Sequence, residues 1–461
     1  MNLARRIDRS ALSSLGDNLS GSLLLPGDDG YETARRVHNG LIDRHPSIIA
    51  RCTRTADVVD ALDLAIRHEL EIAVRAGGHN VAGRAVIDDG MMIDVSPMKA
   101  ISVDPAARTV RVEAGVTWGE FNRETQQHGL ATTGGAVSST GVAGLTLGGG
   151  FGFLMGRHGF TVDTLIAAEL VTAEGKVLRV AMDENAELFW GVRGGGGNFG
   201  IATSFEFMLH PIGPAVNGGM IAYPIDRCQD MLRFYRELTN AAPDELTVAA
   251  SLTHSPDGSG RRLAAMLVCH CGAADDARTA LRRIKAFGTP VLDRLGSLSY
   301  SSLNQMLDSS FPKLSLNYWK SCFLTTVSDD VIAVLNDQFA RCPSAMSKLI
   351  LEHIHGAALT PRSTDMAFPH RDHGYSVLII AQWSDPSDND RNIAWAKETF
   401  AALTPFTRRG AYSNYMADDE KLDGVKRAFA ENFTRLQKLK DVYDPNNLFR
   451  NNQNIPPSTN N

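Results

Sequence analysis

VRAGGHNVAGRAVIDDG, Val74 to Gly90, follows the apolar run Glu71–Val74 and leaves it through two glycines with a histidine, His79, at their tip. A glycine pair lets the backbone turn sharply and come close to a ligand. A histidine placed there either covers the turn or is aimed at whatever the turn holds. Two further glycine-rich stretches follow, Gly134–Gly152 and Gly194–Gly200. Exposed N–H groups in such loops bind phosphate oxygens. A single cluster would be read as a tight turn. Three clusters with aromatic and histidine neighbours point to backbone wrapped around a large ligand.

Two common nucleotide patterns fail. A phosphate-binding P-loop closes on Gly-Lys-Ser/Thr, and that tripeptide does not occur. GLTLGGGFGFLMG, Gly144 to Gly156, lacks the G-x-G-x-x-G spacing between a first strand and its helix, and no acidic residue follows to bind a ribose. The ligand is therefore a dinucleotide or polyphosphate held in a third manner.

Around the loops, short helices and strands alternate. Thr55 reads as the N-cap of a helix whose face is marked by Val58, Leu62, Ala65 and Ile66. AISVDPAARTVRVEAG and LIAAELVTAEGKVLRV read as β-hairpins, the second turning at Glu174–Gly175. Thr117 and Glu120 form a capping box, and Gly129 ends that helix. Beyond about residue 215 longer strands (LTVAASLTH, RRLAAMLVCHC, KLILEHIHGAAL, GYSVLIIAQW) alternate with helices. That texture predicts an open antiparallel sheet backed by helices. Phe429, Phe433, Leu436 and Leu439 predict one amphipathic helix near the end of the sequence.

With 461 residues the chain exceeds one ordinary core, and two lobes are expected. A net charge of −6 without a basic run argues against a nucleic-acid partner. No apolar stretch is long enough for a bilayer, and SLLLP near the N-terminus is too short for a secretory signal, so a cytoplasmic location is expected. Of the six cysteines, Cys269 and Cys271 in CHC resemble a metal motif, yet no second cluster has ligand spacing. Neither metal nor disulfides are expected.

The motifs RAGGHN, DVSPMKAISVD, VRVEAGVTWGE, GLTLGGGFGFLMGRHG, ELFWGVRGGGGNFG and LKDVYDPNNLFRNNQNIPP, in this order, resemble those of the berberine-bridge-enzyme-like flavoproteins. These belong to the vanillyl-alcohol-oxidase and p-cresol-methylhydroxylase (PCMH) superfamily of FAD enzymes. The likeness covers Arg44–Gly213 and Gly410–Pro457 and is looser between them. It implies an α+β fold: a PCMH-type FAD-binding domain of two α/β subdomains over residues 1–213, a substrate domain over 214–409, and a segment, 410–461, that returns to the first. It also implies that His79 is bonded to the 8α carbon of the flavin, a role that suits a neutral imidazole. Many relatives add a cysteine tether eleven positions before the Gly148–Gly150 run. That position is Val137, so a single covalent link is expected. Thr140, three residues on, is small enough to leave oxygen a path to the flavin, which favours an oxidase making H2O2.

By the same resemblance, FAD contacts fall on Arg75, Gly77, Gly78 and Asn80 in the first loop. In the second they fall on Gly134, Thr140, Gly141, Gly144, Leu145, Gly148, Gly149, Gly150 and Gly152. Gly197, Asn198, Gly200, Ile201, Asn414 and Asn452 complete them. YSNY, Tyr412 to Tyr415, matches the family's active-site motif, which makes Tyr412 the candidate base or the hydrogen-bond partner of the base, and Tyr415 a substrate contact. A free tyrosine is a poor base near neutrality, and Lys320 and Arg371 are the candidate cations to lower its pKa. His353 and His355 share a strand face and are candidate substrate contacts. The substrate is expected to be a small hydroxyl-bearing molecule: a sugar, a secondary alcohol or a natural-product intermediate. A cyclic-amine oxidase is one alternative, and a flavoprotein that sequesters a drug or metabolite is another. Oligomeric state leaves no mark on the sequence.

Overall fold

Parallel strands covered on both faces carry unbroken apolar runs, and IIAR, IAVR and MMID form such a set. In the computed structural model, which describes residues 9–408 and 410–458, these are strands Ile48–Arg51, Ile72–Arg75 and Met91–Asp94. The basic N-terminal residues Met1–Asp8, Arg409 and Thr459–Asn461 lie outside the described residues. The strands pair in parallel, with Ser22–Leu24 antiparallel at one edge. Helix Thr55–Arg67 crosses between the first two and buries Val58, Ala61, Leu62 and Ala65. Two details differ from expectation. Ile66 lies one residue past the buried stripe and is exposed. Thr55 is the first helical residue rather than its cap, and its hydroxyl donates to Glu169 instead.

The two hairpins appear as read. Ile101–Asp104, Thr109–Glu113, Ile201–Met208, Leu165–Val171 and Val177–Ala181 form an antiparallel sheet in that order. Gly175 makes its turn at a φ of 74°, in the left-handed region open to glycine. The capping box is formed: Thr117 Oγ1 accepts from the Glu120 N–H, and the Glu120 carboxylate accepts from the Thr117 N–H at 2.8 Å. One hydrophobic core joins both sheets and takes in Val425, Phe433, Leu436, Leu439 and Phe449 from far along the chain. Those residues do not lie on one helix. Helices Leu422–Phe429 and Phe433–Tyr443 are separated at Ala430, and Asn432 in the break donates to the carbonyls of Ser363, Met366 and Ala367.

The intervening chain folds into a nine-stranded antiparallel sheet. Its path runs Leu292–Asp293, Val216–Pro224, Arg262–His270, Leu246–His254, Lys348–Ile354, Gly374–Trp383, Leu316–Leu324 and Thr407–Arg408, with Gly296–Leu298 beside the second. Helices Cys228–Asn240, Ala274–Lys285, Asp329–Ala340 and Asn389–Leu403 bury one of its faces. The opposite face is also apolar, through Leu267, Ile350, Leu378 and Ile380, which pack with Phe153 and Leu154 from the second glycine loop. The fold is thus the α+β arrangement expected.

Candidate functional site

Between that second sheet face and the glycine loops lies one long cavity. All three glycine clusters reach it, through Gly77–Asn80, Gly135–Gly152 and Gly196–Gly200, and Ser413–Tyr415 and Asn451–Gln453 close its sides. Gly77 and Gly141 cross so closely that a Cβ on Gly141 would lie 2.7 Å from the Gly77 nitrogen. A side chain at either place would part the loops. Gly144 and Gly197 differ: within 4 Å of a Cβ there, no atom is met, and that room belongs to the cavity. Asn198 ties the third loop to the far end of the chain, donating to Gly195 O and Gln453 O and accepting from the Ile455 N–H. Asn452 donates to Gly197 O and Phe449 O, while its buried Oδ1 has no partner among the described residues.

His79 faces this space half-buried. Its Nε2 lies 2.9 Å from Ser139 Oγ, and its ring stacks on that of His38 with centroids 4.0 Å apart. Desolvation, helped by His38 and Lys313, pushes its pKa down to about 3. The ring is therefore neutral at physiological pH, as a nucleophile or ligand must be. Backbone-lined room, an unpartnered buried acceptor and a neutral imidazole fit a long dinucleotide such as FAD. His79, Gly77, Gly78, Asn80, Thr140, Gly141, Gly144, Leu145, Gly148, Gly152, Gly197, Asn198, Gly200, Ile201, Asn414 and Asn452 all line the cavity, as does Val137.

Four expected cofactor contacts stand elsewhere. Arg75 donates to Ala34 O and Asp94. Gly134 packs on the Trp118 ring, and Gly149 on Phe368. Gly150 gives its N–H to the Tyr412 hydroxyl at 3.0 Å.

Opposite the loops, the sheet contributes one ionisable side chain, Glu352, which the sequence reading overlooked. It precedes His353 in the strand Lys348–Ile354, and alternation gives it the face opposite to that of His353 and His355: Glu352 lines the cavity and they do not. Its exposed part meets the cavity rather than open solvent, and this desolvation raises its pKa to about 7. Ser376 Oγ donates to it at 3.1 Å and the Tyr415 hydroxyl at 3.3 Å, and both bonds favour the carboxylate. A carboxyl titrating near neutrality beside a phenol is suited to moving a proton.

The other expected catalytic groups are turned from the cavity. Tyr412 is fully buried behind Tyr415, and its oxygen accepts from the Gly150 N–H and from Asn414 Nδ2 at 2.9 Å. Burial drives its pKa upward, away from the phenolate a base would need near neutrality. Lys320 points to the opposite sheet face and is held by Asp419 at 2.9 Å and Glu420 at 2.7 Å, whereas its neighbour Trp319 lines the cavity. Arg371 makes a two-pronged pair with Asp163, at 2.7 and 2.6 Å, between the rings of Phe160 and Phe368. His353 stacks on His355 at 4.5 Å and meets His373 Nε2 at 3.2 Å. Among the described residues no cluster of His, Cys, Asp and Glu could hold a metal, and no helix is long and apolar enough to cross a membrane.

Comparison with known proteins gives the same picture. Residues 46–181 match the FAD binding domain family and residues 411–456 the family described as berberine and berberine like. An FAD-linked oxidoreductase of Dictyostelium discoideum is 31% identical over 451 residues, 96% of each chain. The (R)-6-hydroxynicotine oxidase of Paenarthrobacter nicotinovorans is 31% identical over 95% of this chain and 97% of its own. The crystal structure of 6-hydroxy-D-nicotine oxidase from Arthrobacter nicotinovorans superposes with a TM-score of 0.88 at 28% identity, covering 96% of this chain and 99% of that one.

Proposed function

The chain belongs to the berberine-like FAD-linked oxidoreductases, and from that premise we propose that it is an oxidase with FAD held by a single bond to His79 and Glu352 as its proton acceptor. The observation that carries this reading is the Glu352–Tyr415 pair on the cavity wall opposite the glycine loops. The substrate is a small molecule in which the carbon to be oxidised bears an O–H or N–H. Bound FAD would supply the acceptor for the hydride from that carbon, and that hydride together with the proton taken up by Glu352 would balance the reduction of O2 to H2O2. The O–H or N–H proton passes to a Glu352 oxygen as the C=O or C=N bond forms. Tyr415 donates between the two oxygens of the same carboxylate, at 3.3 and 3.4 Å, and with Ser376 on Oε2 holds it in place against the cavity. His79 supplies the attachment point, and Ser139 and His38 hold its ring. The apolar sheet face excludes water from the reacting atoms.

The test begins with acid denaturation of the purified protein, followed by absorbance and intact mass. Flavin retained by the polypeptide, and released in His79→Ala, supports the tether. Free flavin in the supernatant rejects it. A peroxide-coupled screen of alcohols and amines then tests the oxidase reading. A flavin that no compound bleaches would favour a sequestering protein.

A further inference from the structure

Resting on the reading just given, we infer that the substrate is a flat aromatic or heteroaromatic molecule without anionic groups, and that Phe311 sets this choice by covering the buried ammonium of Lys348.

The sheet half of the cavity is walled by Leu267, Leu307, Phe311, Trp319, Ile350 and Leu378. The sheet gives the cavity two polar side chains, Glu352 and Thr247, and the turn Ser413–Tyr415 adds the Ser413 and Tyr415 hydroxyls. The Asn414 amide is already given to Leu145 O and Tyr412, and the Trp319 N–H to Asn317 Oδ1 at 3.2 Å. A sugar brings a hydroxyl on nearly every carbon, and each one buried without a partner costs about 1–3 kcal/mol. So few groups on one side cannot serve a whole ring of hydroxyls. The Glu352–Tyr415 pair suffices for a molecule with a single O–H or N–H. Phe311, Trp319 and Tyr415 stand in file, with centroids 6.1 Å apart at each step and planes turned by 70°. Such rings pack edge and face against another ring.

Lys348 lies behind this wall. It shares a strand face with Ile350 and Glu352. Its Nζ donates to Ser310 O at 2.8 Å and Gln382 Oε1 at 2.9 Å and sits 4.2 Å from the Phe311 ring centroid. Among the described residues no carboxylate pairs with it. Burial lowers its pKa to about 7, so at pH 6 it is charged. Phe311 lines the cavity and Lys348 does not. The ring thus separates an uncompensated cation from the bound molecule, and a carboxylate on the substrate meets hydrocarbon instead of a partner.

The experiment uses the flavin-loaded protein at pH 6 and reads ligand binding as a perturbation of the flavin absorbance. The probes are 1-phenylethanol, 1-phenylethylamine, their 4-carboxy derivatives, glucose and cellobiose. The wild type is expected to bind the neutral-ring compounds at least tenfold more tightly than the 4-carboxy forms or the sugars. In Phe311→Ala the 4-carboxy forms should gain at least tenfold, in Phe311→Leu they should not, and adding Lys348→Met to Phe311→Ala should abolish the gain. Tighter sugar binding, no perturbation by any aromatic probe, or a gain that survives Lys348→Met would overturn the inference. Perturbation by aromatic probes without bleaching or peroxide would leave it standing while rejecting the oxidase reading.

Discussion

Glu352→Gln is expected to make the protein more stable at alkaline pH while abolishing most of its turnover. In the native protein the Glu352 carboxyl keeps its proton to about pH 7, against 4.5 when exposed. Between those values the native state binds more protons than the unfolded chain, so stability falls as pH rises through that window. The raised pKa corresponds to at most about 3 kcal/mol lost by pH 8. Glutamine matches the shape, is uncharged throughout and escapes the loss. The thermal midpoints of variant and wild type should therefore coincide near pH 4, below the exposed value. By pH 8.5 they should differ by about 3–6 °C in favour of the variant. Over the same range the wild-type kcat/KM should rise with pH to a plateau above about 7, as a base is freed. In the variant that limb should vanish and turnover should fall about 10²–10⁴-fold. A midpoint difference that stays constant with pH, or a limb near pH 7 that persists in the variant, would refute the assignment of the base.

Three other substitutions separate architecture from chemistry. Tyr412→Phe leaves the Gly150 N–H without an acceptor and Asn414 Nδ2 with only Leu145 O, so it should cost about 1–3 kcal/mol in denaturant titrations, with turnover reduced less than about tenfold on the proposal that Glu352 takes the proton. Arg371→Met strands the buried Asp163 and should cost about 3–5 kcal/mol, visible as a lowered thermal midpoint with an unchanged pH profile of kcat/KM. Lys440→Met removes a fully buried cation from Asp444 and from the carbonyls of Asn198 and Phe449, at a similar cost. Because Asn198 lines the cavity, the flavin-to-protein absorbance ratio of this variant should fall, whereas that of Arg371→Met should not.

The loops and the hairpins were legible because their signals are local. A glycine pair, a Thr-x-x-Glu box or an Asp-Pro turn works within a few residues. The carboxyl proposed as base, Glu352, was not. The strand Lys348–Ile354 is apolar on both faces, so polarity does not alternate along it and nothing marks which of Glu352 and His353 faces the cavity. The same ambiguity put Lys320 in the site where Trp319 belongs. Arg371 and Asp163 are 208 positions apart, and no local pattern announces their pairing. The break after Phe429 hides for a related reason. Alanine at 430 is an ordinary helix residue, yet it adopts a positive φ two residues before Asn432, which donates to a distant loop. Only the YSNY motif carried both answers, and there the resemblance led to Tyr412 although Tyr415 is the tyrosine beside Glu352.

Lys440 has a bearing on how the protein is made. Buried between Asp444, Phe449 O and Asn198 O, it fastens a segment translated last onto a glycine loop translated in the first half of the chain. Ser413–Tyr415 and Asn451–Gln453, which wall the cavity, leave the ribosome only after the whole nine-stranded sheet. A nascent chain therefore presents an open trough rather than a closed site, and synthesis at about 5–20 residues per second keeps it open for many seconds. A chain stalled before residue 411 therefore lacks two of the segments that wall the cavity.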